Sequence, residues 1–343
     1  MMSYVHGNLL DAEAEVLVNT VNCVGIMGKG LALQFRQAFP ENFRQYAKAC
    51  RAGEVQLGRV FVVPTDTLLG PRYIMNFPTK NHWKDNSRLQ DIQTGLDDLV
   101  AQIQQLDIRS IAVPPLGCGN GGLDWDDVRP LIERAFADLS NVQVLLFAPE
   151  GAPTVETMRV GQAKKPLTTT RALFIKLLAL YQLPGYRLSL LEVQKLAYFL
   201  QIAGEPLKLN YVKHKFGPYA HNLNHVLQRL EGSYIRGYGD GTQRAEIHVL
   251  PGAVDEAQAV IATSPETEQR LERVRCLIEG FETPYGMELL ATVHWAAHEI
   301  QHRDVDLQPL IDVVHTWNQR KRERFKAPHI RVAWERLHKE GWV

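Results

Sequence analysis

The 343-residue sequence predicts an α/β domain with a mixed, largely parallel sheet, followed by a mainly α-helical second domain. Three observations lead there. Up to about residue 150, short runs rich in β-branched and aromatic residues alternate with longer stretches of helical period, as strands joined by crossover helices do. That alternation stops after Phe147. Beyond about residue 170, apolar residues recur mostly at three- and four-residue spacing. At roughly 150 residues per domain the length agrees with two domains.

The predicted strands are EVLVNTVN (15–22), RVFVVP (59–64), YIMNFP (73–78), SIAVPPL (110–116) and VQVLLFAP (142–149). Several are apolar at consecutive positions, as strands covered on both faces are. Helices are predicted at about 29–39, 41–52, 87–106 and 125–139; over 87–106, Leu89, Ile92, Leu96, Leu99, Val100 and Ile103 form one stripe. Right-handed crossovers place the functional loops at the carboxyl ends of the strands. The run PEGAPTVETMRVGQAKKPLTTT (149–170) has Pro, Gly, Thr and Lys without a period, and reads as a linker. The division is therefore 1–155, a linker at 156–170, and 171–343. Helices in the second part are predicted at about 168–182, 189–203, 218–230, 265–280, 286–298, 307–322 and 328–340. SYIRGYGDGTQRAEIHVL (233–250), with its Asp-Gly turn, reads as a hairpin.

Composition narrows the function classes. Apolar residues at 45% and charged residues at 22% are ordinary for a globular protein and exclude a disordered chain. No apolar run approaches the ~18 residues of a membrane span, so no membrane partner is expected. The start MMSYVHGNLLDAEAEV lacks the basic and apolar regions of a secretory signal. Cys23, Cys50, Cys118 and Cys276 are scattered with no CxxC pair. That pattern predicts neither a disulfide framework nor a zinc site, and a reducing, cytoplasmic setting. The net charge is zero, but residues 1–155 hold 13 Lys+Arg against 17 Asp+Glu, and the remainder 25 against 21. Neither part is basic enough for tight non-specific nucleic-acid binding, and the positive second part argues against an acidic DNA mimic.

Three loops carry possible chemistry. Val21-Asn22-Cys23-Val24-Gly25-Ile26-Met27-Gly28-Lys29-Gly30 leaves a strand and enters a helix. Its glycines allow close backbone approach, and a helix N-terminus offers N–H groups to a phosphate; a plain flexible turn is the alternative. GKG lacks the Ser/Thr of a Walker A loop. Pro114-Pro115-Leu116-Gly117-Cys118-Gly119-Asn120-Gly121-Gly122-Leu123 contains GxGxxG, but late in the domain and with no acidic residue about twenty positions on. A second anion-cradling loop fits better than a nicotinamide site. Asn76-Phe77-Pro78-Thr79-Lys80-Asn81-His82-Trp83-Lys84 also follows a strand. Its Lys80 is either a solvated surface residue or, among Phe77, Pro78 and Trp83, a desolvated amine with a lowered pKa and nucleophilic character.

GNLLDAEAEVLVNTVNCVGIMGKGLALQF, NFPTKNHWK and PPLGCGNGGLDW together, over about residues 1–155, resemble the macrodomains, three-layer α/β/α modules that bind ADP-ribose. The nearest branch is the lysine-using DarG-type glycohydrolases, antitoxins that remove ADP-ribose from thymidine in single-stranded DNA after a DarT-type toxin has attached it. The resemblance implies ADP-ribose contacts from Asn8 and Leu9 at the adenine end. Asn19, Thr20 and Val21 would floor the pocket, with Leu31, Ala32, Leu33 and Gln34 on the diphosphate and distal-ribose side. Thr79 would touch the distal ribose, and Gly117, Cys118, Gly119, Asn120 and Gly121 would wrap the diphosphate. Lys80 would be catalytic and Asn22 would orient a distal-ribose hydroxyl. Relatives acting on protein carboxyl esters carry an Asp in the glycine loop where Gly121 stands. Its absence leaves open whether Lys80 forms a covalent adduct or acts as an electrostatic and acid–base group. The general acid is also unassigned, with Asp124 and His82 as candidates. The bond broken is N-glycosidic, through an oxocarbenium-like transition state. No cofactor or metal is implied, and ADP-ribose is the product.

In the second part, LEVQKLAYFLQ (191–201) and YVKHKFGPYAHNL (211–223) are similar to Panacea or SocA-like antitoxin domains, which implies direct binding of a toxin. Leu191, Gln194, Lys195, Tyr198 and Phe199 read first as a packed helix face, with toxin recognition as the alternative. Lys213, His214, Lys215 and Tyr219 read either as a polar recognition surface or as a solvated loop. WNQRKRERFKAPHIR (317–331) is basic with aromatics and faces solvent, nucleic acid or an acidic partner. The expectation is an antitoxin that hydrolyses ADP-ribosylated DNA and binds its toxin. A non-catalytic ADP-ribose reader, a DNA-binding regulator and a protein-ester hydrolase are its rivals.

Overall fold

The computed structural model describes all residues except 66–69, 150–157, 160–163, 165, 183–184, 240–243, 262–264 and 301–306. Two compact units divide the chain, one of residues 1–163 and one beginning at Lys164.

The first unit has strands β1 (Met2–Val5), β2 (Val16–Asn22), β3 (Phe61–Pro64), β4 (Tyr73–Lys80), β5 (Ser110–Val113) and β6 (Gln143–Phe147). They form one sheet in the order β1-β6-β5-β2-β4-β3, parallel at every pairing except β3 with β4. Helices α1 (Gly30–Ala38) and α2 (Pro40–Arg51) cover one face, and α3 (Leu89–Gln105) and α4 (Trp125–Phe136) the other. Alternation along β2 explains this double cover: Val16 and Val18 pack with Ile92, Leu96 and Ile132, whereas Leu17 packs with Phe35. The result is the three-layer α/β/α arrangement with a mixed, largely parallel sheet that the sequence predicts. β1 is not evident in the sequence, because an edge strand with Ser3 and exposed Tyr4 lacks a continuous apolar run. β5 stops at Val113 rather than 116, where Pro114 and Pro115 have no N–H for the ladder. β4 runs to Lys80 rather than 78, which puts Thr79 and Lys80 at the end of a central strand.

The second unit is mainly helical, with α5 (Thr169–Tyr181), α6 (Leu190–Ile202), α7 (Leu223–Leu230), α8 (Ala253–Ile261), α9 (Pro265–Ile278), α10 (Pro284–Glu299), α11 (Leu307–Thr316), α12 (Gln319–Arg324) and α13 (Ala327–Lys339). Its own core holds Leu173, Phe174, Leu196, Phe199, Leu290 and Val293. α6 starts at a capping box in which Ser189 and Glu192 exchange hydrogen bonds. Two short hairpins accompany the helices: β7 (Tyr211–His214) with β8 (Gly217–Ala220), and β9 (Ile235–Arg236) with β10 (His248–Val249). The second lies within the predicted hairpin at 233–250, whose central residues 240–243 are outside the described residues. The predicted helix 218–230 begins only at Leu223, because 217–220 pair as a strand. The predicted helix 307–322 is two helices, since Asn318 leaves the helical conformation to cap α12 through the Lys321 N–H at 2.9 Å. α8 is an addition to the predicted helices. Within the predicted linker 156–170, residues 156–157, 160–163 and 165 lie outside the described residues; Met158 is buried, Arg159 pairs with Asp11 at 2.8 Å, and Thr169 and Thr170 already belong to α5. Among the described residues no helix is long and apolar enough to cross a membrane.

Candidate functional site

β5, β2 and β4 are neighbours and parallel, so the loops leaving their carboxyl ends open on one edge of the sheet. Hydrogen bonds tie these loops together. The Cys23 N–H donates to the Asn81 carbonyl at 2.9 Å, and the Ser87 N–H to the Gly121 carbonyl at 2.9 Å. Lys80 completes the link: its Nζ donates to the Asn120 carbonyl at 2.5 Å and to the Asp85 carbonyl at 3.0 Å. The amine therefore sits between the turn after β4 and the glycine loop after β5.

Partial burial lowers the Lys80 pKa from its ordinary value, and the Asp85 carboxylate opposes that shift. A neutral amine has two N–H groups and one lone pair. With both hydrogens on carbonyls, the lone pair is left for an electrophile. A protonated amine in the same place has a third N–H to donate. Asp85 is also the last residue of a turn, where its N–H reaches the His82 carbonyl at 3.0 Å and its Oδ2 accepts the His82 N–H at 3.0 Å. That turn carries Trp83, which is 48% exposed.

The first loop is built around Asn22. Its Oδ1 accepts the Val24 N–H at 3.0 Å, its Nδ2 donates to the Ile26 carbonyl at 2.6 Å, and the Tyr46 hydroxyl donates to its carbonyl at 2.5 Å. The Asn22 side chain thus shapes the loop. Met27 anchors the loop in the core, while Val24 and Ile26 are each 45% exposed. α1 follows with Lys29 at its cap position and no side-chain capping bond to the first-turn N–H groups.

In the glycine loop, Gly117 and Gly122 have φ of 74° and 77°, which only glycine adopts readily. A Cβ at Gly121 would lie 2.3 Å from both the Gly117 carbonyl oxygen and the Ser87 Oγ. This position has no room for the Asp of the ester-cleaving relatives. Gly119 and Asn120 are exposed. Burial, with Asp124 nearby, pushes the Cys118 thiol up to about 11, so it is not a ready nucleophile.

The remaining predicted residues fall in several places. Thr79 is buried beside Lys80, its Oγ1 3.4 Å from the Val21 carbonyl. Val21 is buried and Thr20 half-buried on the same strand. Asn19 lies deeper, fully buried, and donates to Asn76 Oδ1 at 2.9 Å in a network that includes Asn42. Asn8 caps the short 3-10 turn Leu9–Asp11 through the Leu10 N–H at 3.1 Å, and Leu9 is buried under it. On α1, Leu33 and Gln34 are buried, and Leu31 and Ala32 half-buried. Asp124 accepts the Asp126 N–H at 2.9 Å as the cap of α4, and His82 Nδ1 accepts the Lys84 N–H at 3.3 Å. Asp85 and Ser87 are not among the predicted residues, and a short polar run such as NHWKDNS gives no signal that one serine in it is buried. Among the described residues no group of three or more His, Cys, Asp or Glu is placed to hold a metal ion.

Comparisons with known proteins find several relatives of this chain. The Macro domain family model matches residues 18–132. A DNA ADP-ribosyl glycohydrolase of Thermus aquaticus is 49% identical over 99% of this chain and 94% of its own length. A DNA ADP-ribosyl transferase-DNA ADP-ribosyl glycohydrolase fusion protein of Thermosipho africanus is 33% identical over 45% of this chain and 44% of its own. Among solved structures, the macrodomain of Mycobacterium tuberculosis DarG is 54% identical, covers 44% of this chain and 99% of that chain, and has a TM-score of 0.43.

Proposed function

This chain belongs to the DNA ADP-ribosyl glycohydrolase family, and from that premise we propose that it removes ADP-ribose from thymidine in single-stranded DNA, with Lys80 acting at the anomeric carbon C1″ of the distal ribose. The observation that carries the reading is the Lys80 amine held between the Asp85 and Asn120 carbonyls. ADP-ribose lies across the sheet edge. Its diphosphate sits between the start of α1, after Gly28-Lys29-Gly30, and the loop Gly117–Gly121, where backbone N–H groups and the helix dipole favour the negative charge. The distal ribose reaches Thr79 and Lys80.

Two routes differ in the state of the amine. The lowered pKa favours the neutral form, whose nitrogen attacks C1″. The Nζ–C1″ bond forms as the bond from C1″ to the base nitrogen breaks, the base leaves with the electron pair and takes a proton, and water releases ADP-ribose. The two carbonyl acceptors favour the ammonium form instead, which donates a proton to the departing thymine while water attacks C1″. In the first route the Lys80–C1″ adduct opens its ribose ring to an imine before water adds, so borohydride present during turnover reduces it and leaves a Lys80 adduct of increased mass, which the second route does not give. The crowding at Gly121 counts against a protein-ester hydrolase that needs an Asp there.

The direct test is single-turnover release of ADP-ribose from a modified single-stranded oligonucleotide. Wild type releases it and Lys80→Ala slows release by at least about 10²-fold, the lower range for loss of an acid–base group. No release by wild type would instead leave a non-catalytic ADP-ribose reader. The second unit binds and neutralises the DNA ADP-ribosyltransferase toxin, a reading that rests on the likeness of residues 191–201 and 211–223 to antitoxin domains. Co-purification of toxin with Lys80→Ala protein tests it, and a toxin that fails to bind would refute it. A DNA substrate and a toxin partner fit a cytoplasmic setting for this chain.

A further inference from the structure

The tip of the β7–β8 hairpin packs against the break between α11 and α12. Trp317 Nε1 donates to the His214 carbonyl at 2.9 Å, and Asn318 Nδ2 to the Lys215 carbonyl at 3.1 Å. Between them runs an open groove of about 610 Å³, with Lys213, Lys215, Trp317 and Arg320 in its lining. Beneath it lie Lys195 and Lys321, both buried. The ion pairs here are Lys213 with Glu299 at 2.8 Å, and Arg320 and Lys321 with Glu288 at 2.5 and 2.9 Å. Lys215 adds positive charge that these two carboxylates do not match. Cations also stand over exposed or half-buried rings: Lys213 lies 4.4 Å from the Trp317 centroid, and Arg320 4.7 Å from that of Phe216. Phe216 is 36% exposed.

We propose that this groove binds unmodified single-stranded DNA, with Lys213 and Lys215 on phosphates and bases stacking on Phe216 and Trp317. The mixture of groups selects this occupant. An acidic peptide would engage the cations but has no flat group for the rings. A single strand supplies both at regular spacing, and every base has a π-face. The local excess of charge suffices although the unit as a whole is only weakly basic. Strand binding here requires no turnover, so it stands apart from the reaction at Lys80.

The experiment is fluorescence anisotropy of a labelled oligothymidylate with the full chain across a salt series. Wild type binds, with affinity falling as salt rises. Lys213→Gln with Lys215→Gln weakens binding at least about tenfold and flattens the salt slope by about 1.4, at roughly 0.7 for each phosphate no longer neutralised. Phe216→Ala weakens it about tenfold with an unchanged slope, as loss of one stacked base does. Lys80→Ala binds like wild type, which separates this site from the hydrolytic one, and unaltered melting temperatures show that the variants are folded. No binding by wild type at low salt, or folded variants that bind as wild type does, would overturn the proposal. Competition by polyglutamate as effective as that by unlabelled oligothymidylate would also overturn it and assign the groove to an acidic protein partner.

Discussion

At Lys80 burial and hydrogen bonding pull in opposite directions, and the pH dependence of the reaction reports which one governs. Burial lowers the pKa, so the neutral fraction becomes large at a lower pH than for an ordinary lysine. If the amine attacks, the single-turnover rate rises with pH through a midpoint below that of an ordinary lysine; if the ammonium is the acid, the rate falls over the same range. Gly121 is the second decisive residue. Gly121→Ala drives a methyl group into the Gly117 carbonyl and the Ser87 hydroxyl. Relief requires the loop to move, and with it the Asn120 carbonyl that holds Lys80. The expected cost is about 1–3 kcal/mol of stability with a fall in kcat, read by thermal denaturation and single-turnover assay; wild-type values for both would show that the loop need not be tight. From its own residues Lys80 stays open between a solvated side chain and a desolvated amine, and the macrodomain resemblance is what selects it; the structure half-buries it. The polar groups that surround it are not legible in the sequence, since the Asp85 and Asn120 partners are backbone carbonyls, which every residue carries.

The sheet strands and longer helices are legible because their period and length are set by burial. Elements fixed by a few local interactions are not. β7–β8 is hidden because Lys213, His214 and Lys215 are exposed and leave no alternating apolar face, and the α11–α12 break depends on one asparagine cap. Lys321 on α12 shows the same limit, since the basic run that holds it reads as a surface, whereas Lys195 on α6 is buried as the packed-face reading of that helix expects. Lys195 Nζ donates to the Pro218 carbonyl at 2.6 Å, and burial together with the charge of Lys321 lowers its pKa to about 7. Burial lowers that of Lys321 to about 8, although Glu288 opposes the shift. In the unfolded chain both keep protons to about 10.4. As pH rises from about 7, the native state releases protons that the unfolded state still holds, so stability increases until the unfolded lysines titrate. The urea midpoint of the helical transition is expected to rise between pH 7 and 9.5. A flat or falling midpoint would mean that these amines stay charged in place.

The whole molecule joins a complete α/β unit to a helical one. Among the described residues, the clusters packed on the two faces of the sheet are formed by residues up to Phe147, with none from the helical unit. A chain truncated after residue 163 is therefore expected to fold and to release ADP-ribose from a modified oligonucleotide at a rate within a few-fold of the full chain, but to lose toxin binding. Aggregation or inactivity of the fragment would show that the hydrolytic unit depends on its neighbour. The central claim is a distance. In a crystal structure with ADP-ribose bound, Lys80 Nζ is expected about 3–3.5 Å from C1″, the separation of groups poised to react. A side chain turned away from the ribose, its amine well beyond hydrogen-bonding reach of the anomeric centre, would contradict the assignment.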